Sequence, residues 1–189
     1  MTKTTYFCLQ FVFQKTILLM KKSNIERLAA ENAFELIGKE WMLITAGTPE
    51  KFNTMTASWG GIGYLWNRPV AFIFVRPERY TYEFIENQEQ VTLAFLGNEN
   101  RQVHSICGSK SGRDCDKVGL SGLTPVCTEN GNITFEQARL TIEGRKLFHT
   151  DMTPENFVDK TLLERWYGNQ PGGSLHRIYA LEIAAVYER

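Results

Sequence analysis

Six to seven short runs in this chain read as strands, and several are too apolar to have one face in water. Pro69-Val-Ala-Phe-Ile-Phe-Val75 is the extreme case: apolar and β-branched throughout, and opened by a proline. Trp41 to Ala46, Phe52 to Trp59, Val91 to Leu96, Ile133 to Glu143, Arg145 to Thr150 and Ile178 to Tyr187 also read as strands, several of them nearly as apolar. A half-solvated strand turns polar at every second position, so such runs must be covered on both sides. The strands do not alternate regularly with helices, which disfavours a doubly wound parallel sheet. A mainly β chain that hides both faces of its sheet is best accommodated as an antiparallel barrel with peripheral helices.

Three helices are expected. They are Pro77 to Asn87, Asn98 to Cys107, and a third opened by Thr153-Pro154-Glu155 that runs to Tyr167 and stops at Gly168. In the third, Phe157, Val158, Leu162 and Trp166 share one face. Gly60, Gly61 and Gly63 suggest a flexible stretch, and Gln170 to Gly173 a loop. At 189 residues, one domain that buries roughly 70% of its unfolded surface is expected.

The first 22 residues stand apart. Tyr6 to Met20 is rich in Phe, Leu, Ile and Val, but Gln10, Gln14 and Lys15 interrupt it, and Lys21 and Lys22 follow where a cleavage site would need small residues. Neither export nor membrane insertion is expected. Residues 1–22 read as an extension, disordered or upstream of a start at Met20, and residues 23–189 as the domain. Cys8, Cys107, Cys115 and Cys127 are scattered, with no C-x-x-C, and suit free thiols in a reducing cytoplasm. His104, His149 and His176 lack metal-ligand spacing, so no metal site is expected. Twenty-one basic against 21 acidic side chains give no electrostatic footprint for nucleic acid.

Three segments carry chemistry. In an extended Asn53-Thr-Met-Thr-Ala-Ser-Trp59, Thr54, Thr56 and Ser58 share one face and Asn53, Met55, Ala57 and Trp59 the other. Short hydroxyls among small residues leave the backbone open to a planar, polar-edged ligand, although a half-exposed strand looks the same. In Val75-Arg-Pro-Glu-Arg-Tyr-Thr81, Arg76 leaves a strand just before a helix N-terminus, where an anion is favoured; an ordinary surface arginine is the alternative. Cys107-Gly-Ser-Lys-Ser-Gly-Arg-Asp114 has the makings of an anion-holding loop or of a plain polar turn, and lacks P-loop spacing. No G-x-G-x-x-G follows a strand, so no nicotinamide-binding Rossmann site is indicated.

Taken together, Phe52 to Gly61, Arg68 to Thr81, and Gly108 to Asp114 with Asp116-Lys117 resemble the flavin reductase-like, FMN-binding split-barrel family, its flavoredoxin-type branch most closely. The resemblance spans about Ile37 to Val186. It implies a Greek-key split barrel that dimerises and holds FMN near the subunit interface. Carried over residue by residue, Asn53, Thr54, Met55, Thr56, Ala57, Ser58 and Trp59 line the isoalloxazine and ribityl chain. Arg76, Tyr80 and Thr81 meet the phosphate, and Ser109, Lys110 and Ser111 close over the flavin. His176 resembles a histidine that precedes the last strand, close to flavin and nicotinamide, although Ser174 and Leu175 separate it from Gly173. The implied activity is hydride transfer from NADH or NADPH to FMN and on to a small molecule or redox protein. An FMN electron carrier with little NAD(P)H turnover, and a barrel that has exchanged FMN for another planar anion, are the competing readings.

Overall fold

The computed structural model describes residues 20–168 and 174–189. Among the described residues there are ten strands: β1 Lys21–Ser23, β2 Met42–Thr48, β3 Lys51–Ala57, β4 Gly60–Leu65, β5 Arg68–Val75, β6 Gln90–Phe95, β7 Pro125–Cys127, β8 Ile133–Phe135, β9 Leu140–Asp151 and β10 Arg177–Glu188. Seven of them form one antiparallel path in the order β3-β2-β6-β9-β10-β5-β4, with β1 beside the far end of β10 and β7-β8 as a separate hairpin. The helices are α1 Ala33–Glu35, α2 Tyr80–Asn87, α3 Arg101–Ser109, α4 Lys117–Ser121 and α5 Lys160–Tyr167.

Burial explains the apolar runs of β2 and β6, whereas β5, the most apolar run, buries Val70, Ala71, Ile73 and Val75 but leaves Phe72 and Phe74 half-buried, Phe74 lining a hollow. Met42 and Ile44 join Ile73, Val75, Leu93, Ile142, Leu181 and Ile183 in the main core, while Leu43 and Ala94 on the other face pack with Cys107, Leu123 and Phe135 beneath α3 and α4. Strands β2 and β6 therefore bury both faces, one inward and one under helices. At ~1.5–3 kcal/mol per fully buried large apolar side chain, these two clusters supply much of the driving force for closure. The end strands of the path, β3 and β4, are consecutive in the chain and joined through Ser58 and Trp59, yet they do not pair with each other. That seam is where the barrel is split.

The sequence reading needs four corrections. Lys21–Ser23, which straddles the proposed extension boundary, pairs with Val186–Glu188, so the sheet begins inside the proposed extension; residues 1–19 and the loop expected at 170–173 lie outside the described residues. The glycines at 60, 61 and 63 are strand, paired in register with Ile73, Phe72 and Val70. The β4–β5 hairpin turns at Trp66 and Asn67, both at positive φ (52° and 56°), as a two-residue turn of the primed type demands. Two runs expected as separate strands, Ile133 to Glu143 and Arg145 to Thr150, are instead the short β8 and the twelve-residue β9, because register shifts opposite Ala180 and Ile183 let β9 bend without ending. Finally, the expected helix from Thr153 is a single 3₁₀ turn, Pro154–Asn156, and a separate α5 capped by Asp159.

Candidate functional site

Three hollows run end to end from the seam. The first, about 540 Å³, lies between Ala33 to Gly38, the seam residues Ser58 to Gly60, and the segment from Met152 to Tyr167. It shares Ser58, Trp59 and Phe74 with a second hollow of about 190 Å³, which is walled by Met55 to Trp59, Arg76, Arg79 and His176. Arg79 also walls the third, about 180 Å³, with Glu78, Tyr80, Gly108 to Ser111 and Lys117. The walls are apolar at one end. At the other, Arg76, Arg79, Lys110 and Lys117 gather around a single acid, Glu78.

Each wall residue has a local reason for its position. Strand β3 is the last in the path, so one of its edges has no neighbouring strand and Met55 to Trp59 offer backbone there. Arg79 is the N-cap residue of α2 and donates to the Cys107 carbonyl at 3.3 Å. Lys117 opens α4 behind the cap Asp116, which accepts from Gly119 N–H at 3.0 Å. Its buried ammonium donates to the carbonyls of Cys107 (3.3 Å) and Lys110 (3.2 Å), and burial pushes its pKa down to about 8. These two cations tie α2, α3 and the 108–111 loop into one cradle.

The predicted site residues fall into three groups. Met55, Thr56, Ala57, Ser58, Trp59, Arg76 and His176 line the middle hollow, and Tyr80, Ser109, Lys110 and Ser111 line the cationic one. Asn53, Thr54 and Thr81 are buried and occupied elsewhere: Asn53 donates to the Thr81 hydroxyl at 2.7 Å, and the Thr54 and Thr45 hydroxyls meet at 2.9 Å. Thr56, meanwhile, donates to the His104 carbonyl at 2.8 Å and so pins α3 to β3. Arg76 is turned toward α5: it donates to the Trp166 carbonyl at 3.0 Å and lies 4.9 Å over the Tyr167 ring.

His176 is nearly buried, with Nδ1 2.8 Å from the Tyr167 hydroxyl and its ring 5.1 Å from that of Trp59. Burial first, then the charge of Arg76, lowers its pKa to about 4, so it is neutral at pH 7. Arg79, Lys117 and Phe74 were missed as site residues. Arg79 and Lys117 stood inside the quoted motifs, and the signal that could have found them is position: both sit where a helix begins.

An antiparallel split barrel with an apolar seam leading into a cationic loop cradle defines the class of flavin reductase-like, FMN-binding folds. The sequence profile of the Flavin reductase like domain matches residues 34–188, and the chain belongs to that family. Its fold is similar to that of flavoredoxin from Methanosarcina acetivorans (20% identity, TM-score 0.62, covering 80% of this chain and 69% of that one). It is also similar to an FMN-binding domain of flavin reductases-like enzyme from Shewanella baltica OS155 (14%, 0.63, 89% and 76%) and to the NADH:FAD oxidoreductase of Streptomyces globisporus C-1027 (13%, 0.59, 80% and 76%). No curated protein matches the chain by sequence.

Proposed function

We propose that this protein binds FMN along the middle and cationic hollows, its ring toward the seam and its phosphate at the 108–111 loop, and works as an oxidoreductase fed by NADH or NADPH. The observation that carries the reading is the change of wall chemistry, from aromatic at Trp59 and Phe74, where the middle hollow meets the seam, to cationic at Arg79, Lys110 and Lys117 around the 108–111 loop. A flavin mononucleotide has the same polarity along its length: a planar ring at one end and a doubly charged phosphate at the other. When bound, FMN supplies the redox chemistry, accepting a hydride and returning the electrons.

The chain's own residues do the rest. Arg79 and Lys117 hold the phosphate, with Tyr80 and the hydroxyls of Ser109 and Ser111 beside them. The open edge of β3 from Met55 to Trp59 presents backbone to the polar rim of the ring. His176, neutral and hydrogen-bonded to Tyr167, and Trp59 wall the ring from water. Asn53, Thr54 and Thr81 brace the cradle from behind rather than touching the ligand. Hydride transfer needs no protein acid or base, so a neutral His176 is consistent with it.

The test is the visible spectrum of the purified full chain with FMN, then anaerobic addition of NADH or NADPH. Bleaching by either confirms a reductase. Bleaching by dithionite alone makes the protein an electron carrier, and failure to bind FMN overturns the proposal. A homodimer belongs to the same reading. Tyr64, 78% exposed, and Trp66, packed against Phe148 at 6.2 Å, leave apolar surface on the β4–β5 hairpin away from the hollows, and sedimentation velocity tests whether a second copy covers it. No helix among the described residues is long and apolar enough to cross a membrane. A cytoplasmic location is proposed with the function; cell fractionation checks it.

A further inference from the structure

The seam hollow is large enough, at about 540 Å³, to hold a small molecule of its own. Its walls include Phe34, Trp59, Phe74, Phe157, Leu162 and Trp166, and none of the described residues that wall it is charged. It is continuous with the cationic track through three shared residues, so whatever sits there lies beside the ring end of the proposed flavin site. A charged ligand entering this end leaves its water for a wall with no ionic partner. An uncharged planar ligand instead gains aromatic contact, with Trp59 and Trp166 already set edge-to-face at 5.3 Å and 85°.

We infer that this hollow receives the electron acceptor, and that the acceptor is an uncharged planar aromatic molecule of the quinone class. The inference rests on the flavin reading above. The balanced reaction is NAD(P)H plus a proton plus quinone, giving NAD(P)⁺ and hydroquinone. Two electrons and one proton leave the nicotinamide as hydride, the second proton comes from solvent, and both quinone carbonyl oxygens become hydroxyls.

Leu162 and Trp166 stand on α5, which buries none of its residues, so this wall is open to substitution without disturbing either core. The test compares two thiol-inert probes on the full chain by equilibrium dialysis, with and without FMN: uncharged anthraquinone-2-carboxamide and anionic anthraquinone-2-sulfonate. The carboxamide is expected to bind at least tenfold tighter. Leu162→Glu is expected to cut carboxamide affinity at least tenfold while FMN affinity, read by flavin fluorescence, stays within twofold. Equal binding of the two probes, or unchanged carboxamide binding in Leu162→Glu, overturns the inference. If Leu162→Glu splits a dimer in sedimentation yet leaves carboxamide binding intact, the hollow is an interface between copies and the inference falls. If FMN binds and neither probe does, this inference alone fails; if the carboxamide binds but FMN does not, the flavin reading fails and the acceptor role goes with it.

Discussion

Lys117 shows how one residue's surroundings set what it can do. An ammonium has three donors, and the carbonyls of Cys107 and Lys110 take two of them. Because burial lowers its pKa to about 8, its charge is present at pH 7 and fades as pH rises through 8. FMN affinity is therefore expected to fall several-fold between pH 7 and 9, and Lys117→Gln to bind weakly at pH 7 with that pH dependence removed; fluorescence titration at each pH checks both. Gly112 is constrained by space. A Cβ there would lie 2.1 Å from Asn53 Oδ1 and 3.2 Å from the Tyr80 ring, so the loop closes only because the side chain is absent. Gly112→Ala should cost about 1–3 kcal/mol in a denaturant melt and weaken FMN binding, since either Asn53 or the loop must move. The sequence showed the glycine but not its neighbour, because Asn53 lies in a different element.

At the scale of elements, α5 is the informative case. Phe157, Val158, Leu162 and Trp166 were expected on one face of a single helix, yet only Leu162 and Trp166 lie on α5, both 45% exposed, and Val158, before it, is fully exposed. The 3.6-residue pattern correctly marked an apolar face; it carried no information about what that face meets. Here it meets an open hollow, and α5 is held by Arg76 on Trp166 and Tyr167 and by the Tyr167–His176 hydrogen bond. Arg76→Ala is accordingly expected to raise amide exchange across Lys160–Tyr167 at least tenfold in the FMN-free protein while leaving β5 and β10 unchanged. Unchanged exchange in α5 would return Arg76 to the phosphate alone. Strand β4 failed the opposite way: its glycines suggested flexibility, but Gly60 must lack a side chain, because a Cβ would sit 2.6 Å from the Phe72 carbonyl on the paired strand.

Over the whole molecule, two buried histidines couple folding to pH. Burial lowers both His104 and His176 to about 4, below the ordinary value near 6.5. The unfolded chain thus binds more protons between these values, so this contribution to stability is complete above pH 6.5 and is lost as pH falls toward 4, by up to about 3 kcal/mol per histidine. Thermal melts at pH 7 and 5 should show the loss. His104→Phe, which also removes a buried Nε2 without a hydrogen-bond partner, should reduce it. What the sequence determined by itself was local: apolar runs that must be buried as strands, and motifs whose order and spacing mark the flavin reductase-like family. Tertiary structure alone decided which of those residues meet. Thr54 and Thr56 alternate alike along β3, yet one is sealed against Thr45 and the other ties down α3, because strand period fixes a side and the neighbouring element fixes the partner. The cradle likewise exists only where the starts of α2 and α4 converge on the carbonyls ending α3, a meeting of segments nearly 40 residues apart that no local pattern encodes.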